Sequence, residues 1–132
     1  MHYQNPWWND TTIDGRQIHS RTDCSGLVDG IFQYLGDAPV TYVNTTHTLA
    51  SNPPKNWKVI SLSALDYNPA NLLPGDIIVN TAKHTEVVVQ INGNNIKCKG
   101  FGSDSRLRDS YLYGGYTPGH SLGWYNWVLR KY

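Results

Sequence analysis

The chain has 132 residues, a length that suits one domain with one hydrophobic core. Hydrophobic residues make up 39% of it and charged residues 16%, which is too apolar and too weakly charged for a disordered chain. The net charge is +1 and no Lys/Arg cluster is longer than "RKY", so a nucleic-acid partner is not expected. No apolar run approaches the ~18 residues of a membrane helix, so a membrane span is not expected either.

The N-terminal segment "MHYQNPWWND" shows no basic stretch followed by an apolar one, so no signal peptide is recognisable in it. Either a signal is missing from this sequence, or the protein leaves the cytoplasm by another route, or it stays inside. The first twenty residues are polar and aromatic, and we expect them to be irregular.

A helical pattern follows Asp23, a residue suited to cap a helix N-terminus, and Gly36 is suited to end that helix. Apolar residues recur between them at the spacing of one helix face: Leu27, Val28, Ile31, Phe32 and Leu35. A second, shorter helix is expected over residues 45–51, after Asn44 and before "NPP".

The rest of the chain predicts strands. They are "WKVI" (57–60), the strand after the Pro74-Gly75 turn, "HTEVVVQI" (84–91), "NIKCK" (95–99) and "GWYNWVLR" (123–130). Helices first and an antiparallel sheet afterwards make an α+β fold.

The segment "NGNN" after Ile91 is a strong hairpin signal. A two-residue loop at Asn92-Gly93 or Gly93-Asn94 pairs even positions of the first strand with odd positions of the second. One face then carries His84, Glu86, Val88, Gln90, Lys97 and Lys99, and the other carries Thr85, Val87, Val89, Ile91, Ile96 and Cys98. A three-residue loop would reverse this assignment.

Cys24 lies where the first helix begins. Unpaired backbone N–H groups and the helix dipole stabilise a thiolate at that position. An imidazole nearby would lower the thiol pKa further and supply the proton that a leaving group needs. His84 is the candidate; the plainer interpretations are a small core residue for Cys24 and an exposed strand end for His84.

Three stretches, "DCSGLV" (23–28), "LLPGDIIV" (72–79) and "HTEVVVQINGNNIKC" (84–98), resemble in order and spacing the NlpC-type papain-like cell-wall peptidases. The layout is most similar to phage lysin catalytic modules of that superfamily, to which the CHAP amidases are related. The resemblance implies a papain-like half-barrel, with N-terminal helices packed on an antiparallel sheet, and one catalytic domain over residues 1–132.

The resemblance also implies site residues. Cys24 would be the nucleophile, His84 the general base and Lys97 the third catalytic position; Asp23 and Ser25 would contact substrate. Asp23 serves equally well as a helix cap.

Lysine at the third position departs from the family pattern, because an ammonium group has no acceptor for an imidazole N–H. Three explanations stay open: a Cys–His dyad, aided or not by a backbone carbonyl; another acceptor, from Glu86, Gln90 or Asp104; or an impaired relative that only binds.

The second cysteine, Cys98, is expected to be a buried thiol and not a disulfide partner of Cys24. The five histidines show no metal-ligand spacing, so neither a metal nor a cofactor is expected.

The sequence thus predicts a monomeric peptidoglycan hydrolase that cuts an amide bond of the stem peptide or the muramoyl–L-alanine link. Its location would be extracellular or in the cell wall, reached through a signal peptide missing here or by phage-type lysis. The alternatives are a catalytically silent wall-binding module and a thioester acyltransferase.

Overall fold

The computed structural model describes residues 8–13, 16–21, 24–38, 48–101, 107–115 and 121–132. These residues form nine elements, which are β1 (Trp8–Ile13), β2 (Arg16–Arg21), α1 (Cys24–Tyr34), β3 (Trp57–Ser61), β4 (Ile77–Asn80), β5 (His84–Asn92), β6 (Asn95–Phe101), β7 (Leu107–Tyr113) and β8 (Trp127–Lys131). Short 3-10 turns lie at Ser63–Leu65, Pro69–Asn71 and Leu122–Trp124.

The dominant element is a six-stranded antiparallel sheet in the order β3-β8-β4-β5-β6-β7, and β1 and β2 form a separate antiparallel hairpin. The expected α+β papain-like half-barrel with N-terminal helices is therefore wrong. The described chain is β-rich and contains one short α-helix, preceded by two strands where irregular structure was expected. Of the second predicted helix, residues 45–47 lie outside the described residues and residues 48–51 form a turn.

Helix α1 confirms the predicted pattern. Val28 and Phe32 are fully buried, and Gly36 takes a φ of 78°, a left-handed conformation that favours glycine, just after the helix ends at Tyr34. Of the other predicted apolar positions, Leu27 and Ile31 are partly buried, and Leu35 falls beyond the last helical residue and is exposed.

The sheet has a core on each face. We call one the helix face, because α1 packs on it; its core consists of Val28, Phe32, Leu49, Trp57, Ile77, Val79 and Leu129. We call the other the loop face, since segments between strands cover it; its core consists of Leu62, Leu72, Ile78, Val88, Ile96, Cys98, Leu112, Leu122, Tyr125 and Val128.

The "PGD" motif ties these layers together. Gly75 takes a φ of 93° and donates its N–H to the carbonyl of Val88 at 2.7 Å. Asp76 is buried and accepts from Nε and Nη2 of Arg130 at 2.9 and 2.7 Å and from the N–H of Leu73 at 2.8 Å. The motif therefore anchors the start of β4 to β5 and β8.

A β-bulge interrupts the hairpin of β5 and β6. Close to the turn, Asn92 pairs with Asn95 and Gln90 with Lys97, as a Gly93-Asn94 loop predicts, but Val88 pairs with Cys98, so the register shifts by one at Val89.

The bulge overturns part of the predicted face assignment. Lys97 shares the helix face with Gln90 as predicted, whereas His84, Glu86 and Val88 lie on the loop face with Cys98. The cause is that one extra residue reverses the side-chain alternation beyond it.

Candidate active site

Helix α1 begins at Cys24, so the candidate nucleophile occupies the first helical position. Backbone N–H groups without intrahelical partners point out of this end, and they favour a thiolate there. Asp23 and the side chains of Cys24 and Ser25 lie outside the described part of the chain.

His84 is the first residue of β5, and its side chain is 26% exposed. Its Nε2 atom lies 3.3 Å from Oε1 of Glu86, two positions further along the same face of the strand. The imidazole also lies beside the indole of Trp124, with ring centroids 6.4 Å apart. The ring is therefore held between a carboxylate and an aromatic side chain.

Glu86 is a buried carboxylate with several donors. The Ser110 hydroxyl lies 2.7 and 2.8 Å from its two oxygens, and the Tyr125 hydroxyl donates to Oε2 at 2.9 Å. Burial acts to raise the pKa of Glu86, but hydrogen bonds from His84, Ser110 and Tyr125, with the charge of His84, outweigh it and lower that pKa. Glu86 is therefore an anion at neutral pH and stabilises a protonated imidazole.

Gly100 of β6 leaves room for this carboxylate. A Cβ at position 100 would lie 3.0 Å from Cγ and 3.2 Å from Oε1 of Glu86, which is tighter than ordinary packing allows. Because glycine has no Cβ, the Glu86 side chain can pack directly against the backbone of β6.

His84 and Glu86 line a cavity of about 490 Å³, which we call the Glu86 pocket. Its lining combines the polar network with aromatic and apolar side chains, and it comprises His84, Glu86, Ser110, Tyr111, Leu112, Trp124 and Tyr125. Such a mixture of apolar wall and few converging polar groups is typical of ligand sites.

Lys97 does not approach His84. It pairs with Gln90, six positions further along β5 and about 20 Å from His84 at the usual strand rise, and it lies on the other face of the sheet. Its ammonium lies 3.6 Å from Asp109. Of the three acceptors weighed for the third position, Glu86 contacts the imidazole, Gln90 pairs with Lys97, and Asp104 lies outside the described residues.

The contact between Cys24 and His84 stays a prediction. Helix α1 contacts β2, β5 and β6, and β5 begins at His84. The buried helix residues Val28 and Phe32, however, pack on the helix face, whereas His84 lies on the loop face. The buried residues of α1 and the imidazole of His84 therefore lie on opposite faces of the sheet.

Cys98 is a free, buried thiol, as predicted. Burial raises its pKa far above the usual range, and the negative charge of Glu86 raises it further. It lies on the same face as His84 and not, as expected, on the opposite one. Its position makes it an inert core residue.

Sequence reasoning missed Ser110 and Tyr125. Ser110 belongs to β7, a strand that the sequence analysis does not predict, and Tyr125 precedes β8. No local signal links these positions to His84, since only the strand order brings them together. The available signal was the alternation of His84 and Glu86 within one strand.

Within the described ranges, no group of three or more His, Cys, Asp or Glu side chains could hold a metal ion. Likewise, the one helix found there is too short to traverse a bilayer.

Comparison of the chain with models of known protein families, with curated proteins and with solved structures finds no match in any of the three.

Proposed function

We propose that this protein is a cysteine peptidase or amidase that hydrolyses an amide bond of bacterial peptidoglycan, outside the cell or in its wall. The observation that carries the proposal is the imidazole of His84 held at 3.3 Å by a buried, ionised Glu86 in an open pocket. A buried carboxylate that orients an imidazole is the arrangement of a general acid–base pair. Supporting it, Cys24 stands at a helix N-terminus within the cysteine motif "DCSGLV".

The chemistry would run in two steps. The Cys24 thiolate attacks the amide carbon, the backbone N–H groups at the helix N-terminus stabilise the oxyanion, and the protonated His84 gives its proton to the departing amine. His84 then takes a proton from water, whose oxygen attacks the thioester, and the carboxylate product leaves as the thiolate is restored. Glu86 acts as a positioning residue that fixes the ring and stabilises its charged form.

The first test asks whether thiol and imidazole interact. Iodoacetamide labelling of Cys24 is followed across pH by mass spectrometry of the peptide that contains it, which separates it from the buried Cys98. We expect a reactivity midpoint below the ordinary ~8.5, and a return towards that value in His84→Ala. A reactivity midpoint near the ordinary ~8.5 in both proteins would contradict the proposal.

The second test asks for the reaction itself. The unmodified protein and Cys24→Ser are incubated with purified peptidoglycan, and the released fragments are identified by mass spectrometry. A new lactyl carboxylate identifies an amidase, and a new amino-terminal stem residue identifies an endopeptidase. Cys24→Ser should release neither.

A wall-binding module without catalysis is the rival. It would be indicated if the unmodified protein bound walls from several bacteria but cut none of them. Turnover of a model thioester without cleavage of muropeptides would instead indicate an acyltransferase.

A further inference from the structure

A second concave site lies on the helix face, at the far end of strands β5, β6 and β7. It is a groove of about 300 Å³ in which two rows of side chains stand in register. One row is Gln90, Lys97 and Tyr111, and the next is Asn92, Asn95 and Tyr113. We call this site the tyrosine groove.

The rows form a compact platform. Three neighbouring strands span about 10 Å, and two positions along a strand span about 7 Å. Tyr111 and Tyr113 are 62% and 57% exposed, so large aromatic surfaces are presented to solvent at one side of the platform. Because Tyr111 and Tyr113 stand at i and i+2 of one strand, their rings lie on the same face and form a contiguous aromatic surface.

The polar groups in the groove are mostly amides. Gln90, Asn92 and Asn95 each carry a donor and an acceptor, which matches hydroxyl groups that also donate and accept. The ammonium of Lys97 is partly neutralised by Asp109 at 3.6 Å, so the groove does not concentrate positive charge. Aromatic rings beside amides, with little net charge, suit a polyhydroxylated and nearly neutral ligand.

We infer that the tyrosine groove binds a carbohydrate, with sugar C–H faces against Tyr111 or Tyr113 and hydroxyl groups on the amides. Charge argues against a polyanion such as nucleic acid. A peptide added as a strand is less suited to this face, because β6 already pairs on both sides with β5 and β7.

The inference does not depend on the proposed hydrolysis. The groove lies on the helix face and the Glu86 pocket on the loop face. Tyr111 lines both sites, whereas Tyr113 lines the groove and not the pocket, so Tyr113→Ala is the variant that separates binding from catalysis. Cys24→Ser should bind saccharide as the unmodified protein does, even if no hydrolysis is ever detected.

The test uses two soluble probes, chitotetraose and cellotetraose, followed by calorimetry and by the side-chain amide signals in NMR spectra. We expect saturable binding of at least one probe, with shifts of the Gln90, Asn92 and Asn95 amides. Tyr111→Ala and Tyr113→Ala should each weaken binding about tenfold or more.

Tyr132→Ala is the matched control, because Tyr132 is 81% exposed but lies after β8, beside Lys58. It should leave the affinity unchanged, and circular dichroism should show all variants folded. The inference is overturned if neither probe binds at concentrations up to about 10 mM, because even a weak saccharide site has a dissociation constant below that concentration. It is equally overturned if binding survives both tyrosine substitutions, or if a peptide or polyanion binds there and the saccharides do not.

Discussion

The Glu86 pocket and the tyrosine groove use the same three strands in opposite ways. In the pocket, Glu86 is 6% exposed, accepts hydrogen bonds from Ser110 and Tyr125, and contacts the imidazole of His84. In the groove, the tyrosines are mostly exposed and the amides line an open surface. Buried, hydrogen-bonded groups are suited to moving protons, and exposed amphipathic groups are suited to holding a ligand.

The largest effect should come from Glu86→Gln, which keeps the shape of the side chain and removes its charge. We expect the rate of peptidoglycan hydrolysis to fall by about 10²–10⁴-fold, because the imidazole loses the anion that orients and stabilises it. The pH–rate profile should also move to lower pH, a change that a purely structural role would not cause.

Asp109→Asn is the matched control for that substitution, because Asp109 is an exposed carboxylate on the other face, paired with Lys97 and Lys99. It should leave hydrolysis intact. Saccharide binding that failed in Glu86→Gln but not in the control would mean that the two sites are not independent.

Gly100→Val should disturb the pocket next most strongly. A larger side chain there meets Glu86 at 3.0 Å, so we expect a loss of about 1–3 kcal/mol in the free energy of unfolding, together with reduced hydrolysis. Denaturant titration and rate measurement check both quantities.

Gly93→Ala gives the contrast. Gly93 has a φ of 62° but nothing within 4 Å of a Cβ, so it should lose about 1 kcal/mol of stability through backbone strain and leave hydrolysis unchanged. Equal losses of activity in both variants would show that the crowding at Gly100 is unimportant.

Tyr125→Phe should have a smaller effect, because it removes one donor from the buried carboxylate and keeps the ring. We expect about 1–2 kcal/mol less stability and a modest fall in rate. Tyr113→Phe, outside the pocket, should change neither. A Tyr125→Phe protein as stable and active as the original would make this hydrogen bond dispensable.

Acid should destabilise the fold through carboxylates whose pKa is lowered. At Asp37 burial acts to raise the pKa, but hydrogen bonds from Lys131, Asn56 and Trp57 lower it overall. For Asp37 and Glu86, the stabilisation is complete above the ordinary values of 3.8 and 4.5 and is lost as the pH falls through and below them.

Denaturant midpoints at neutral pH and near pH 3 measure this loss. Asp37→Asn should reduce the difference between the denaturant midpoints measured at these two pH values. If the difference between the midpoints is unchanged in Asp37→Asn, groups other than Asp37 cause the acid sensitivity.

Local rules predicted the parts of the fold that local forces determine. The ends of α1, the Gly93-Asn94 turn and the strands at β3, β4 and β5 follow from a capping or turn residue next to a clear periodicity. The hairpin β1–β2 was missed although Asp14-Gly15, a dipeptide typical of such turns, separates the two strands, because neither strand shows an apolar alternation.

The remaining errors come from contacts between distant segments. The bulge at Val89 has no sequence signature within "VVVQI". Strand β7 lies at the edge of the sheet, its residues are mostly exposed, and its sequence "LRDSYLY" does not alternate regularly between apolar and polar residues. Ser110 and Tyr125 reach Glu86 only through the strand order, which periodicity does not reveal. The α+β expectation came from the resemblance and from a second helix that residues 48–51 do not form.

The irregularity at Val89 has a wider consequence. Even-numbered side chains before it point to one side of the protein, and even-numbered side chains after it point to the other. This strand of nine residues thereby lines two separate sites; if Val89 paired regularly instead of bulging, Gln90 and Asn92 would point to the face that carries His84. The separation of the two sites along this strand thus depends on one unpaired backbone position and not on the identity of its side chains.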